Sequence, residues 1–311
     1  MGSIYYWAEI LHKAVSDEGA PDEPHARPPV PPAARRGLAP RRGRPAHPAP
    51  ADPAPADLAR RLRGAVVLPG LTPRHEPPRL LLAVAHPDDE TFGCGSLLLA
   101  AAAAGWATTV VCATRGEAGE PAPGVDLDGR SLAEVREEEL REAAGLLGVA
   151  RLELLDFADS GMSEGPPAGS LCAADPATVA AALRAVADEV DPDVVVSLDA
   201  ADGHRDHARI RDAAVGVAGE RGVPAYLQAL PRSLMDRWVA HMVEARPDME
   251  HLRYADLGTP DDEIAVVLDT ATHLGARERA IAAHASQTSP FDGLPDDLRR
   301  AFLTREHLVR G

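Results

Sequence analysis

Two short runs of this chain concentrate side chains able to hold a metal and move protons. The first, AHPDDETFGCG, starts at Ala85 and packs His86, Asp88, Asp89 and Glu90 beside an otherwise hydrophobic stretch. Carboxylates and an imidazole set so close repel and desolvate one another unless a cation compensates, and a divalent metal is the simplest compensation. His86 and Asp89 stand three apart in a strand-to-helix turn, a spacing that lets an imidazole nitrogen and a carboxylate oxygen converge at roughly 2.0–2.2 Å on zinc. Asp88, between them, is left free. The second run, DAADGHRDHARIRDA, supplies His204, Asp206 and His207, so a third ligand is available. A His-Asp-His set with an open fourth position is a catalytic zinc pattern, because water can bind there with its pKa lowered to near 7. The bland alternative, a polar helix start with Asp89 or Thr91 as N-cap, accounts for the first run alone and leaves the second unexplained.

These runs need a frame that brings them together. From residue 79 onward short apolar runs alternate with helical patterns: RLLLAVA (79–85), TTVVCAT (108–114), RLELLDF (151–157), DVVVSLDA (193–200) and AYLQAL (225–230) read as strands. The stretches 91–105, 131–147 and 177–190 between them read as helices. The near-continuous apolarity of the first four strands suits a sheet covered on both faces, and strand-helix-strand repetition implies parallel pairing with right-handed crossovers. The expected fold is α/β, a Rossmann-like three-layer sandwich with a mostly parallel sheet. EIAVVLDT (263–270) suggests a late strand, and 272–284 a closing helix. In such sheets ligands bind at the carboxyl ends of the strands, and both polar runs follow strands directly.

Upstream of this pattern the composition changes. Residues 21–56 hold 12 of the 29 prolines with six arginines, the makeup of an extended Pro/Arg-rich linker with little to bury. Before it, Ile4, Trp7, Ala8, Leu11 and Val15 fall at helical spacing, so residues 1–20 read as a short amphipathic segment. One catalytic domain, 57–311, is therefore expected. The net charge of -16 argues against a protein that neutralises nucleic-acid phosphates. No apolar run reaches the roughly 18–20 residues of a membrane span, and the amino end lacks a cationic region and cleavage site, so the expected location is cytoplasmic. The three cysteines Cys94, Cys112 and Cys172 show no C-x-x-C spacing and read as reduced thiols. A homo-oligomer is neither required nor excluded.

The A-H-P-D-D-E block resembles the PIG-L or LmbE-like de-N-acetylases, and the resemblance runs from about Leu80 to about Ser289. It implies hydrolysis of the N-acetyl group of an amino sugar, with His86, Asp89 and His207 as ligands to zinc, although ferrous iron accepts the same set. It further implies that Asp88 is the general base, that His204 supports the oxyanion and protonates the amine as an imidazolium, and that Asp206 tunes His204. TRGEAGE (114–120), VREEELREAAGLLGV (135–149), DSGM (159–162) and AHASQ (283–287) match as well, and on that ground Arg115, Asp159 and His284 are expected at the substrate. Two departures stand out: Arg205 replaces the proline of the H-P-D-H motif, and Asp202 stands where mycothiol-type relatives carry tyrosine. The rival readings are an amidase acting on a mycothiol-type thiol conjugate and a non-catalytic Rossmann-like sugar- or nucleotide-binding protein. The second is opposed by the turn HPDDETFGCG, which lacks G-x-G-x-x-G and puts acids where a pyrophosphate would sit.

Overall fold

In a computed structural model of the chain, residues 66, 68–162 and 165–311 are described. The expected amino-terminal segment 1–20, the linker 21–56 and the start of the domain at 57 lie outside them. The sheet has the order β3-β2-β1-β4-β5-β7-β6, formed by β1 (Arg79–Val84), β2 (Ala107–Cys112), β3 (Arg151–Leu154), β4 (Val194–Leu198), β5 (Ala225–Gln228), β6 (Val266–Asp269) and β7 (Arg305–Arg310). Strands β1 to β5 pair in parallel, whereas β7 runs antiparallel between β5 and β6.

Alternation along β1 explains why the strand is apolar from Leu80 onward. Leu80, Leu82 and Val84 enter one buried cluster, and Leu81 and Ala83 enter the other, as a side-chain period of two requires of a strand covered on both faces. The first cluster is closed by α2 (Gly95–Ala103) and α3 (Leu132–Leu147), the second by α4 (Pro176–Val190) and α5 (Arg205–Arg221). Capping follows local chemistry. Ser131 and Glu134 form a capping box at the start of α3, which ends at Gly148 with φ 74°. A third cluster packs α6 (Arg232–Ala245) with Phe92, Phe291 and the last helix, α8 (Asp296–Leu303).

One expected element is broken. The helix expected over 91–105 is split into α1 (Asp89–Phe92) and α2. At the break, a Cβ on Gly93 would lie 2.5 Å from Leu198 Cδ2 and 2.9 Å from Asp89 O, so the chain turns where only glycine fits against β4. The helix expected over 272–284 shortens to α7 (Leu274–Ala283), led in by a 3-10 turn.

Strand β7 was not expected, because REHLVR carries charge where a strand signal would be apolar. Its Glu306 is buried and accepts the Leu97 N–H at 3.0 Å in the first turn of α2. Arg277 of α7 lies 3.8 Å away and donates to Ser96 Oγ and Phe92 O, so this buried pair is embedded in hydrogen bonds, as charges removed from water must be. Beside it, burial and then the charge of Arg305 push His307 down to about 4. The folded chain thus resists protonation that the unfolded chain accepts near 6.5. The stability this contributes is complete above pH 6.5 and lost as pH falls toward 4. His307→Gln is expected to flatten the fall of Tm across that window, which thermal melts of both proteins between pH 7 and 4 will show.

Candidate metal centre and active site

The chain runs outward from β1 through β2 to β3, then returns to place β4 and β5 on the other side of β1. The carboxyl ends of β1 and β4 therefore border the topological switch point, where open α/β sheets form a crevice. AHPDDE follows β1 and DGHRDH follows β4, so the two polar runs meet there although about 120 residues separate them.

His86, Asp89 and His207 converge. His207 Nε2 lies 3.2 Å from Asp89 Oδ1 and 3.3 Å from His86 Nδ1, and His86 Nδ1 lies 3.7 Å from Asp89 Oδ2. Donors at zinc-ligand bond lengths on a tetrahedron stand about 3.3–3.4 Å apart, so the spacing suits one cation. The remaining ring nitrogens support this assignment. His207 Nδ1 is 2.6 Å from Asp202 Oδ2, while His86 Nε2 is 3.3 Å from Asp206 Oδ2 and 3.4 Å from Asp159 Oδ1. A ring proton shared with a carboxylate on one side leaves the other nitrogen a bare acceptor, the arrangement by which outer carboxylates orient metal-binding imidazoles. In that tautomer two nitrogens and a carboxylate oxygen face one another with lone pairs only, so a cation would take the place of the proton that otherwise bridges His207 Nε2 and Asp89. Electrostatics carry the same demand for positive charge. Burial opposes protonation of His86, yet Asp159 and Asp206 push it up to about 10; burial is likewise overcome at His207 by Asp202 and Asp89. Asp89 is held below the carboxylate range by His207 and His86 in spite of its burial. The residues present fit a divalent metal.

Asp88 sits in a strained backbone conformation, φ 120°, outside the regions that L side chains favour; such strain persists where surrounding structure imposes it and clusters at functional sites. Its N–H donates to Glu90 Oε2 at 3.0 Å. One carboxylate oxygen, Oδ2, accepts from Arg136 at 3.0 Å, and the other, Oδ1, is buried with no partner among the described residues. Burial raises this carboxyl to about 6, tempered by Arg136. Arg136 also donates to Gly116 O and Pro87 O, which fixes the turn that carries Asp88. The run VREEELREAAGLLGV that carries it matches the family in sequence, and Arg136's part in the site shows only in this long-range contact.

Three expected roles differ from what the geometry shows. Asp206 does not reach His204 with its carboxylate: that group holds His86, the Ser160 N–H and the Cys172 thiol, and it is the Asp206 backbone N–H that donates to His204 Nδ1 at 3.2 Å. His204 is therefore the N-cap of α5, with its ring proton on Nε2. Burial and the neighbouring imidazoles hold it down to about 4, so its resting form is the neutral ring and not the expected imidazolium. His284, expected at the substrate, has a fully buried side chain whose Nε2 lies 2.8 Å from Glu90 Oε1. Its place is beneath the AHPDDE turn. Arg115 is partly exposed and bonds Glu137 at 2.6 Å and Asp156 at 3.3 Å. Asp159 faces His86, and its own Oδ1 accepts the Gly161 N–H. Asp202, unassigned in the sequence, orients His207; the signal was a carboxylate one tight turn before the histidine pair.

The model of the family described as PIG-L, GlcNAc-PI de-N-acetylase, matches residues 81–218, which hold His86, Asp88, Asp89, His204 and His207. A 1D-myo-inositol 2-acetamido-2-deoxy-alpha-D-glucopyranoside deacetylase of Thermomonospora curvata is 33% identical over 264 residues, covering 74% of this chain and 89% of the relative. The chain belongs to the PIG-L family. A deacetylase of the same name from Kineococcus radiotolerans is 35% identical, covering 69% of this chain and 70% of that one. Among solved structures, a deacetylase of the teicoplanin biosynthesis pathway superposes with a TM-score of 0.51 at 22% identity over 75% of this chain and 98% of its own. The A40926 pseudoaglycone deacetylase Dbv21 gives 0.51 at 22% identity over 75% and 96%. At that identity the structural match speaks for the α/β fold. The family places the triad in a setting of amide hydrolysis. No helix among the described residues is long and apolar enough to cross a membrane.

Proposed function

We propose that this chain removes the acetyl group of an N-acetylated amino sugar, a GlcNAc-type glycoside or conjugate, releasing acetate and a free amine, with zinc held by His86, Asp89 and His207. The observation that carries the reading is the unpartnered Oδ1 of Asp88, a buried carboxylate oxygen next in sequence to a ligand and held in place by Arg136. The curated relatives deacetylate a GlcNAc-inositol by name, which makes that compound the first substrate to test.

When bound, the cation supplies Lewis-acid polarisation of the amide carbonyl and of water. Asp88 takes a proton from the attacking water through Oδ1. Its carboxyl, raised to about 6, is matched to returning that proton near neutrality to the departing nitrogen. His204, neutral with Nε2–H directed by the Asp206 amide at Nδ1, donates a hydrogen bond to the oxygen that gains charge as the carbonyl becomes tetrahedral. Asp202 and Asp206 keep the two ligand imidazoles in their working tautomers.

Metal analysis of the purified protein, with acetate release measured over a panel of N-acetyl sugars, tests the proposal. We expect about one zinc per chain and turnover of at least one GlcNAc glycoside that stops on chelation and returns with zinc. Acetate release that chelators leave untouched would refute the assignment.

A further inference from the structure

A chamber with about 50 Å3 of free internal space lies against two of the three metal-binding candidates, Asp89 and His207, with Asp202 also in its wall. The rest is largely apolar, with Leu230, Leu234, Met235, Trp238, Phe291 and Phe302 facing it. Gln228, Arg277, Arg305, Glu306 and His307 also border it; Arg277 donates to Ser96 Oγ and Phe92 O and Glu306 accepts the Leu97 N–H, while Arg277 Nε has no partner among the described residues. A sugar or inositol ring placed against the Leu230, Leu234, Met235, Trp238, Phe291 and Phe302 side of this wall would leave most of its hydroxyls facing aromatic and aliphatic carbon, which costs more than it gains. An alkyl chain would gain on every carbon buried.

The chamber also lies on a definite side of the chemistry. Asp88, which moves the proton to the departing nitrogen, together with Arg136, His204 and Asp159, does not contribute to its wall. The polar groups suited to the amine and to sugar hydroxyls thus stand apart from the chamber, with the triad between. The carbonyl carbon, bound at the triad, directs nitrogen toward the first group and its own alkyl substituent toward the second.

We propose that this chamber is an acyl pocket, and that the chain hydrolyses amino-sugar amides whose acyl group is a short alkyl chain of about four to six carbons in preference to acetyl. The inference rests on the hydrolase reading above and extends it. Water adds its oxygen to the carbonyl carbon, the C–N bond breaks, the proton taken by Asp88 passes to nitrogen, and the products are a butanoate or hexanoate and the free amine.

Two measurements on the full zinc-loaded chain test it. In the first, kcat/KM is compared for N-acetyl-, N-butanoyl- and N-hexanoylglucosamine and for an octyl glycoside of N-acetylglucosamine. Burial of a methylene raises affinity about fourfold, so the acyl series is expected to rise by at least about tenfold from acetyl to hexanoyl. Leu230→Trp, which fills the chamber from its half-buried wall, should erase that gain, so that the hexanoyl-to-acetyl ratio of kcat/KM falls back toward one. A rate that falls with acyl length, or a gain conferred by the octyl aglycone and not by the acyl chain, overturns the proposal. In the second, acetate, butanoate and hexanoate are titrated calorimetrically as product ligands, which needs neither turnover nor a variant. Tightening along the series supports the pocket, and constant affinity overturns it. Should no acid of any length be released, the hydrolase reading fails, and the carboxylate titration still decides whether the chamber binds alkyl chains.

Discussion

Asp88→Asn is expected to lower acetate release by about 10²–10⁴-fold, the usual contribution of a positioned acid-base group, while the protein keeps its fold and its metal. Asparagine preserves the size of the side chain and tolerates positive φ better than most residues, so the backbone at φ 120° need not relax. The Arg136 bond is also retained, through the amide oxygen. What disappears is the ability of the outward atom to accept a proton and return it. Because His86, Asp89 and His207 are unchanged, zinc content should stay near one per chain, and KM should move far less than kcat. Equal turnover by the variant and the native chain, measured at saturating substrate, would show that another group is the base. Alanine at this position is a weaker test, since it also releases Arg136 from its buried partner.

The reason so much of this site can be read from the sequence is that its chemistry is concentrated. His86, Asp88 and Asp89 are near neighbours, and His204 and His207 are three apart, so residue type and proximity alone imply a cation. The parallel strands were legible for a similar reason: β1, β2 and β4 are buried on both faces and therefore almost wholly apolar, broken only by Arg79, Thr108, Thr109 and Ser197. Features held by single long-range contacts were not legible. Arg136 reaches the base from a helix about 50 residues away, and nothing local marks it among the glutamates of α3. Strand β7 is disguised by Glu306, whose inward charge is compensated by Arg277 and the start of α2. The split between α1 and α2 depends on how closely Gly93 approaches Leu198, a tertiary contact that helical periodicity does not encode. His204 illustrates the limit within the site itself. Its identity as a functional histidine is plain from the motif, but its tautomer is set by a backbone N–H, which only the folded turn reveals.

His207→Ala is expected to abolish stoichiometric zinc binding, and with it all measurable hydrolysis. The three ligands come from two runs that meet only when β1 and β4 are adjacent, so removing His207 leaves His86 and Asp89, both from one turn, to hold the ion alone. Two ligands do not close a catalytic zinc site, which takes three protein donors. Dialysed protein should therefore carry zinc in the native form and little in the variant. Zinc should also raise the Tm of the native chain but not of the variant, since an ion that binds only the folded state stabilises it. Asp202→Asn separates ligation from orientation. It keeps all three donors but replaces the carboxylate 2.6 Å from His207 Nδ1 with a neutral amide, so His207 becomes a weaker base. Loss of such an outer partner typically weakens metal affinity about 10–100-fold, so Asp202→Asn should bind zinc at raised concentration and recover turnover there. A His207→Ala protein that retains one tightly held zinc would mean that the ion sits elsewhere, for instance between His86, Asp159 and Asp206, which also lie close enough together to share one.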